Sequence, residues 1–331
     1  MRLENILALT KATLVNEPFV TQFENIVFEV KNVKRGDLFI AFNEEMIKDA
    51  ILNGAYGIMF DKRTQISDRE IAWIKVSSCE DALKKLLRFR LIEKDVTVYE
   101  CNEIVLKLAL QIITDPHFIP LDGDIQTLHK VLWNVEENTT LLFTSKTCDK
   151  NLFTNVKKIS TNAVASIDIV EQTLFETSFI YNDVFYERQL LSPFFIPYLE
   201  DLLHLYKHLK INFRLKKFTL MKHFEAVFVS KNLEIKEFGT SDKVLIFESN
   251  IELIEEEISF LQKNALWAEL IYIIPHAMGS LESKNIYIYK DKQHILNILN
   301  TTSFHFALIA GTDTSLLSIQ KNIPTQLTLD F

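Results

Sequence analysis

Seven glycines are spread over 331 residues where average usage would place roughly 23, and that scarcity limits the loops this chain can build. Glycine lets backbone amides curl round a phosphate without a Cβ in the way. Gly36, Gly54, Gly57, Gly123, Gly239, Gly279 and Gly311 fall into neither G-x-G-x-x-G nor G-x-x-x-x-G-K-[ST] register. A glycine-built phosphate cradle is therefore not expected.

With 48% hydrophobic and 24% charged residues, the chain has the balance of a soluble protein long enough for two or three domains. A net charge of −8 argues against a general nucleic-acid binder, which needs a surplus of Lys and Arg. Cys79, Cys101 and Cys148 are odd in number and far apart, which fits a reducing cytoplasm and offers no C-x-x-C metal pair. The start of the chain carries no apolar run of signal-peptide type, and no stretch has the length of a membrane span. The expected location is cytoplasmic.

Short apolar runs at Asn25–Val30, Asp37–Phe42, Gly57–Phe60 and Ala72–Val76 read as strands, with helical patterns at Glu44–Asn53 and Glu80–Phe89. Asp95–Tyr99 predicts a further strand running into a helix capped by Asn102. The region from Phe194 to Phe224 reads mainly as helix. Past Gly239, strands at Lys243–Phe247, Leu270–Ile274, Ile286–Tyr289 and Phe306–Ala310 alternate with helix, which argues for a parallel sheet covered on both faces.

In order along the chain, Val33-Lys34-Arg35-Gly36-Asp37-Leu38-Phe39-Ile40-Ala41, Val244-Leu245-Ile246-Phe247-Glu248-Ser249-Asn250 and Ala307-Leu308-Ile309-Ala310-Gly311-Thr312 resemble segments of the Mur ligase family, the ATP-dependent enzymes that add amino acids or dipeptides to UDP-MurNAc in peptidoglycan synthesis, and within it the D-alanyl-D-alanine-adding type. The first resembles the family's V-x-x-G-D-L-F-[VI]-A, continuing into Ala50-Ile51-Leu52-Asn53-Gly54-Ala55. The second is similar to the strand and D-S-Y-N-A-N-P turn that open the carboxy-terminal domain. The third stands where the family has L-V-K-G-S. The resemblance implies an α/β chain of Mur ligase-like three-domain arrangement: a UDP-sugar type domain over 1–92, a shortened central ATPase-like domain over 93–238, and a Rossmann-like domain over 239–331.

The departures shape the functional expectation. Where the family carries G-x-x-G-K-[ST], this chain reads Val98-Tyr99-Glu100-Cys101-Asn102-Glu103-Ile104, with no Gly, no Lys and two carboxylates. The family's Gly-Arg-x-Glu nucleotide contact is reduced to Lys222-His223-Phe224-Glu225, and the Lys before Gly311 is missing. A phosphate site needs aligned amides, a helix amino terminus and a cation.

Other candidates have plain structural readings. Thr144-Ser145-Lys146-Thr147 reads as a strand-end loop, Cys101 as a buried apolar side chain, and Asp122-Gly123-Asp124 as a turn with Asp124 capping a helix. His204 and His208 could share a helix face with Glu200, a spacing that a wet helix edge also explains. Ser249-Asn250-Ile251-Glu252 reads as a capping box with Ser249 as the cap, which leaves Glu248, Ser249 and Asn250 as the residues for any residual ligand contact. The basic stretch from Lys207 to Lys222 reads as a solvated face or an adaptor patch for an anionic surface.

The expectation is a degenerate, noncatalytic homologue with no catalytic or metal-ligating residues and no cofactor. It would act by binding a Mur ligase or another peptidoglycan precursor enzyme, or a UDP-MurNAc-type ligand. The alternative is an active ligase with a divergent nucleotide site, in which case ATP and magnesium enter.

Overall fold

Leu38, Phe39 and Ile40 are all buried, as are the four residues Gly57–Phe60, so these runs form strands covered on both faces. In the computed structural model, which describes residues 1–160, 165–215, 217–241, 243–279 and 284–317, they lie in the first of two compact units, residues 1–160 with 210–213. There α1 (Leu3–Thr10) precedes β1 (Thr13–Leu14), β2 (Ile26–Val27), β3 (Leu38–Ile40), β4 (Gly57–Phe60) and β5 (Ala72–Lys75). Their order is β1-β5-β4-β3-β2, with β1 alone antiparallel. Helices α2 (Ile47–Leu52) and α3 (Cys79–Ile92) complete this layer.

Two glycines of this sheet have a clear conformational task. Gly36 and Gly54 sit at φ +96° and +99°, and the Gly36 N–H donates to the Gly54 carbonyl at 3.3 Å. Asp37, which is buried, closes the turn by accepting the Lys34 N–H at 2.9 Å and the Asn25 side-chain amide at 3.0 Å. The best-matching motif in the sequence is thus a turn-forming device of the sheet.

The same unit holds a second, wholly parallel sheet of β6 (Thr97–Glu100), β7 (Phe118–Leu121), β8 (Thr140–Phe143) and β9 (Val156–Lys158), in the order β7-β8-β6-β9, with α4 (Glu103–Ile112) and α5 (Ile125–Leu132). The sequence showed β6, and its strand-end reading at Thr144 implied β8; β7 carries Pro120 and a half-buried middle, and β9 is only three residues long with an exposed end, so both escaped it.

In the second unit an antiparallel sheet of β10 (Asp168–Gln172), β11 (Thr177–Tyr181) and β12 (Val184–Gln189) precedes α6 (Ile196–Leu209). The helix expected to make up most of the stretch to Phe224 stops at Leu209. Asn212 instead gives its N–H to Asp115 at 3.1 Å, and Phe213 pairs with Ile113 inside the first unit, so the backbone groups a helix would need are already used. Of the basic stretch, Lys216 lies outside the described residues.

The last sheet contains β13 (Glu225–Phe228), β14 (Val244–Glu248), β15 (Leu270–Pro275), β16 (Ile286–Tyr289) and β17 (Phe306–Ala310), in the order β13-β14-β17-β15-β16. β13 is antiparallel and the other four are parallel. It packs with α7 (Ile254–Asn264) and α8 (Lys292–Thr301), and Leu245, Phe247, Ile273, Ile295, Leu299 and Ile309 share one core. The boundary expected at residues 238 and 239 falls inside this sheet, because β13 pairs with β14 across it. No helix among the described residues is long and apolar enough to cross a membrane.

Candidate functional site

Strand β6 passes into α4 through Cys101 and Asn102 alone. The Cys101 N–H donates to the Phe143 carbonyl on β8 at 2.8 Å. Asn102, extended at φ −76° and ψ 169°, caps α4 by accepting the Val105 N–H at 2.8 Å. Two of the amides that a phosphate loop would turn toward its ligand are therefore already bonded inside the protein. Burial pushes the Cys101 thiol up to about 12, and the charge of Glu100 adds to the effect, so the thiol stays protonated and unreactive at neutral pH. Lys158 on β9 is in register with Glu100, and Lys157 lies 5.7 Å from the Tyr99 ring.

The strand-end loop after β8 follows its plain reading, since the N–H groups of Thr147 and Cys148 both donate to the Thr144 carbonyl at 3.2 and 3.0 Å. Asp124 caps α5 through the Thr127 N–H at 2.8 Å. Glu200 accepts the N–H groups of Ser166 and Ile167 at 2.7 and 3.0 Å, while His204 and His208 face solvent on α6.

A cavity of about 500 Å³ in the first unit lies against the start of α3, the start of α5 and the Asp61-Lys62 end of β4. Both helix starts are already capped: at α3 Asp61 accepts the Cys79 N–H at 3.0 Å and Ser78 the Asp81 N–H at 3.2 Å, and at α5 Asp124 accepts the Thr127 N–H at 2.8 Å. Lys62 and Lys84 face Asp61, Glu80, Asp124 and Asp149, and Lys84 is held by Glu80 at 2.9 Å. With carboxylates outnumbering lysines, the walls suit hydroxyl and amide groups better than a diphosphate.

In the second unit Glu248 ends β14 with none of its surface exposed. The Nδ1 of buried His223 lies 3.0 and 3.1 Å from its two oxygens, and the N–H groups of Phe224 and Asn250 donate to it at 3.1 and 2.7 Å. Glu257 of α7 is buried beside this carboxylate; burial, then the charge of Glu248, holds it well above the usual range. Phe224 sits at φ +46°, a strained position for a bulky residue, tied by its N–H to Glu248. Sequence reading treated Glu248 and Lys222-His223-Phe224-Glu225 as separate remnants, whereas the structure joins them in one interior cluster. Nothing in the one-dimensional pattern signals that His223 points inward.

Ser249 is not the cap that the sequence suggested. Glu248 fixes the Asn250 N–H, which leaves Asn250 extended at φ −88°, and its side chain accepts the Glu252 N–H at 3.2 Å. Ser249 is exposed. Gly311, at φ +72°, follows β17 and donates its N–H to the Glu248 carbonyl at 2.7 Å.

No protein-family model matches the chain, and no curated protein matches it. Solved structures do. A crystal structure of MurF from Acinetobacter baumannii is 8% identical, with 96% of this chain and 98% of that chain covered and a TM-score of 0.52. The MurF ligase from Thermotoga maritima in complex with ADP is 14% identical, with 88% and 95% covered and a TM-score of 0.49. The fold is Mur ligase-like. At such low identity it is the fold alone that is shared. In this Mur ligase-like chain the second and third resembling segments are neighbouring parallel strands, with Glu248 opposite Ala310.

Proposed function

We propose that the chain is a noncatalytic Mur ligase-like protein of cytoplasmic peptidoglycan precursor synthesis, which acts by binding a partner enzyme of that route or a UDP-sugar type ligand. The observation that carries this reading is the β6–α4 junction. Acyl-phosphate formation depends on positioning and charge stabilisation round a nucleotide. Here the junction has no glycine, no lysine, two flanking carboxylates, and amides that are bonded to Phe143 and Asn102. The His223–Glu248 cluster supports the same reading, because its carboxylate is spent on internal donors. The cavity beside α3 and α5, whose carboxylates outnumber its lysines and would repel a diphosphate, favours the partner-enzyme mode over a UDP-sugar type ligand.

Phosphate release with ATP, magnesium, UDP-MurNAc peptide and a range of amino acids is expected to stay at background. Turnover above background would establish the active ligase instead. Calorimetry with UDP-MurNAc peptide, alongside pull-down by purified Mur ligases, then separates the two modes of binding. Failure of both removes the proposal.

A further inference from the structure

A cleft of about 450 Å³ opens at the edge of the last sheet where β14 and β17 begin, away from Glu248 and Gly311 at their far ends. Its aromatic walls are Phe175 from the β10–β11 turn, Phe228 at the end of β13, Phe238 from the loop before β14, Trp267 after α7, and Phe306 at the start of β17. Phe175 packs against Phe228, Phe238 and Phe306 with ring centroids 5.9, 6.5 and 6.1 Å apart. Phe175, Phe228 and Phe306 are buried, whereas Trp267 is 70% exposed. The Trp267 indole meets the Phe306 ring edge-on at 5.8 Å and keeps most of its surface open at the cleft.

Charge decides what kind of ligand such a box prefers. Glu176 is the one charged residue among the described residues that line the cleft. Its partner Arg188 reaches it at only 3.4 Å from a side chain that is 73% exposed, a weak and solvent-screened pair. Aromatic faces carry negative quadrupole potential, so rings plus a carboxylate attract a cation and repel an anion; no lysine, arginine or histidine is among the described lining residues, and His305 meets the Trp267 ring edge-on with centroids 5.6 Å apart. The same unit already uses this contact internally, with Lys243 Nζ 4.2 Å from the Phe304 ring centroid. The volume lies in the range of small-ligand sites.

We propose that this cleft binds a small organic cation of the alkylammonium class, with Trp267 closing over it and Glu176 supplying the counter-charge. The test titrates the full-length protein with choline, with benzyltrimethylammonium, and with dimethylbutanol, the uncharged isostere of choline, following tryptophan fluorescence and heat. Saturable binding of a cation about tenfold tighter than of the isostere is expected. Trp267→Ala should weaken it by about tenfold and Glu176→Gln by a smaller factor, while Trp267→Phe should abolish the fluorescence change and keep most of the heat. Both residues stand at the surface of the cleft, and thermal melts of the variants confirm that they fold. Isostere binding as tight as the cations, cation binding indifferent to Trp267→Ala and Glu176→Gln, or no saturable binding of either cation would overturn the assignment.

Discussion

Two turns of the first unit contrast sharply. The Val33–Ala41 turn keeps its glycine, and Gly36 and Gly54 face each other in left-handed backbone that a Cβ would strain. The β6–α4 turn has no glycine and needs none, because the Cys101 N–H bonds to Phe143 and Asn102, in ordinary extended backbone, caps the helix. Glycine stands at 36 and 54, where the backbone turns left-handed, and is absent from the β6–α4 junction, where the backbone makes no such turn.

The largest expected effect breaks the first turn. Gly54→Val places a Cβ 3.3 Å from the Arg35 Cα at φ +99°, and should cost about 2–4 kcal/mol in urea denaturation. A cost below about half a kcal/mol would mean that the turn does not need its glycine.

Next comes acid sensitivity, where the two units should move in opposite directions. Burial depresses His129 of α5 from 6.5 to about 4, so the neutral ring is favoured in the folded state. Stability from this group is complete above pH 6.5 and is lost as pH falls toward 4, up to about 3 kcal/mol. His129→Phe should flatten that part of the pH profile of the first unit. Glu257 has the opposite sign: its folded value is raised, so its contribution is fullest below the ordinary carboxylate range of about 4.5 and declines as pH climbs. Glu257→Gln should therefore stabilise the second unit at neutral pH. Regional hydrogen exchange at pH 7.5 and 5 measures both, and parallel responses in the two units would contradict the assignment.

The smallest effect concerns the second turn. Asn102→Ala removes one cap and should cost about 1 kcal/mol, whereas Asn102→Gly should cost only a few tenths. If instead Asn102→Gly conferred magnesium-dependent ATP binding, the closed amides of this junction would be the barrier and the noncatalytic reading would weaken.

Much of the fold was legible from local pattern. Buried strands such as Gly57–Phe60 and the Val244–Phe247 part of β14 are continuous apolar runs, and Asn102 and Asp124 announce their helices as caps. The β11–β12 hairpin was missed although Asn182-Asp183, at φ +47° and +60°, carries the two-residue turn signal between apolar runs. The helix expected through Phe224 failed because Asp115 and Ile113, far back in sequence, compete for the backbone at Asn212 and Phe213. The candidate site was half visible. Glu248 and His223 each stood out by place in a motif, but as separate remnants, and nothing local signalled that they meet or that Glu257 is buried beside them.

The sequence by itself determined which backbone could not be built: without glycine between Val98 and Ile104, no loop there can fold its amides inward round a phosphate. That is a local steric fact, and local facts survive in one dimension. Only tertiary structure decided where Glu248 spends its charge, gathering His223, Phe224 and Asn250 round it and burying Glu257 alongside. Whether a carboxylate meets solvent or an imidazole depends on which distant segments fold over it, and in a low-dielectric interior that choice sets its protonation and its chemistry.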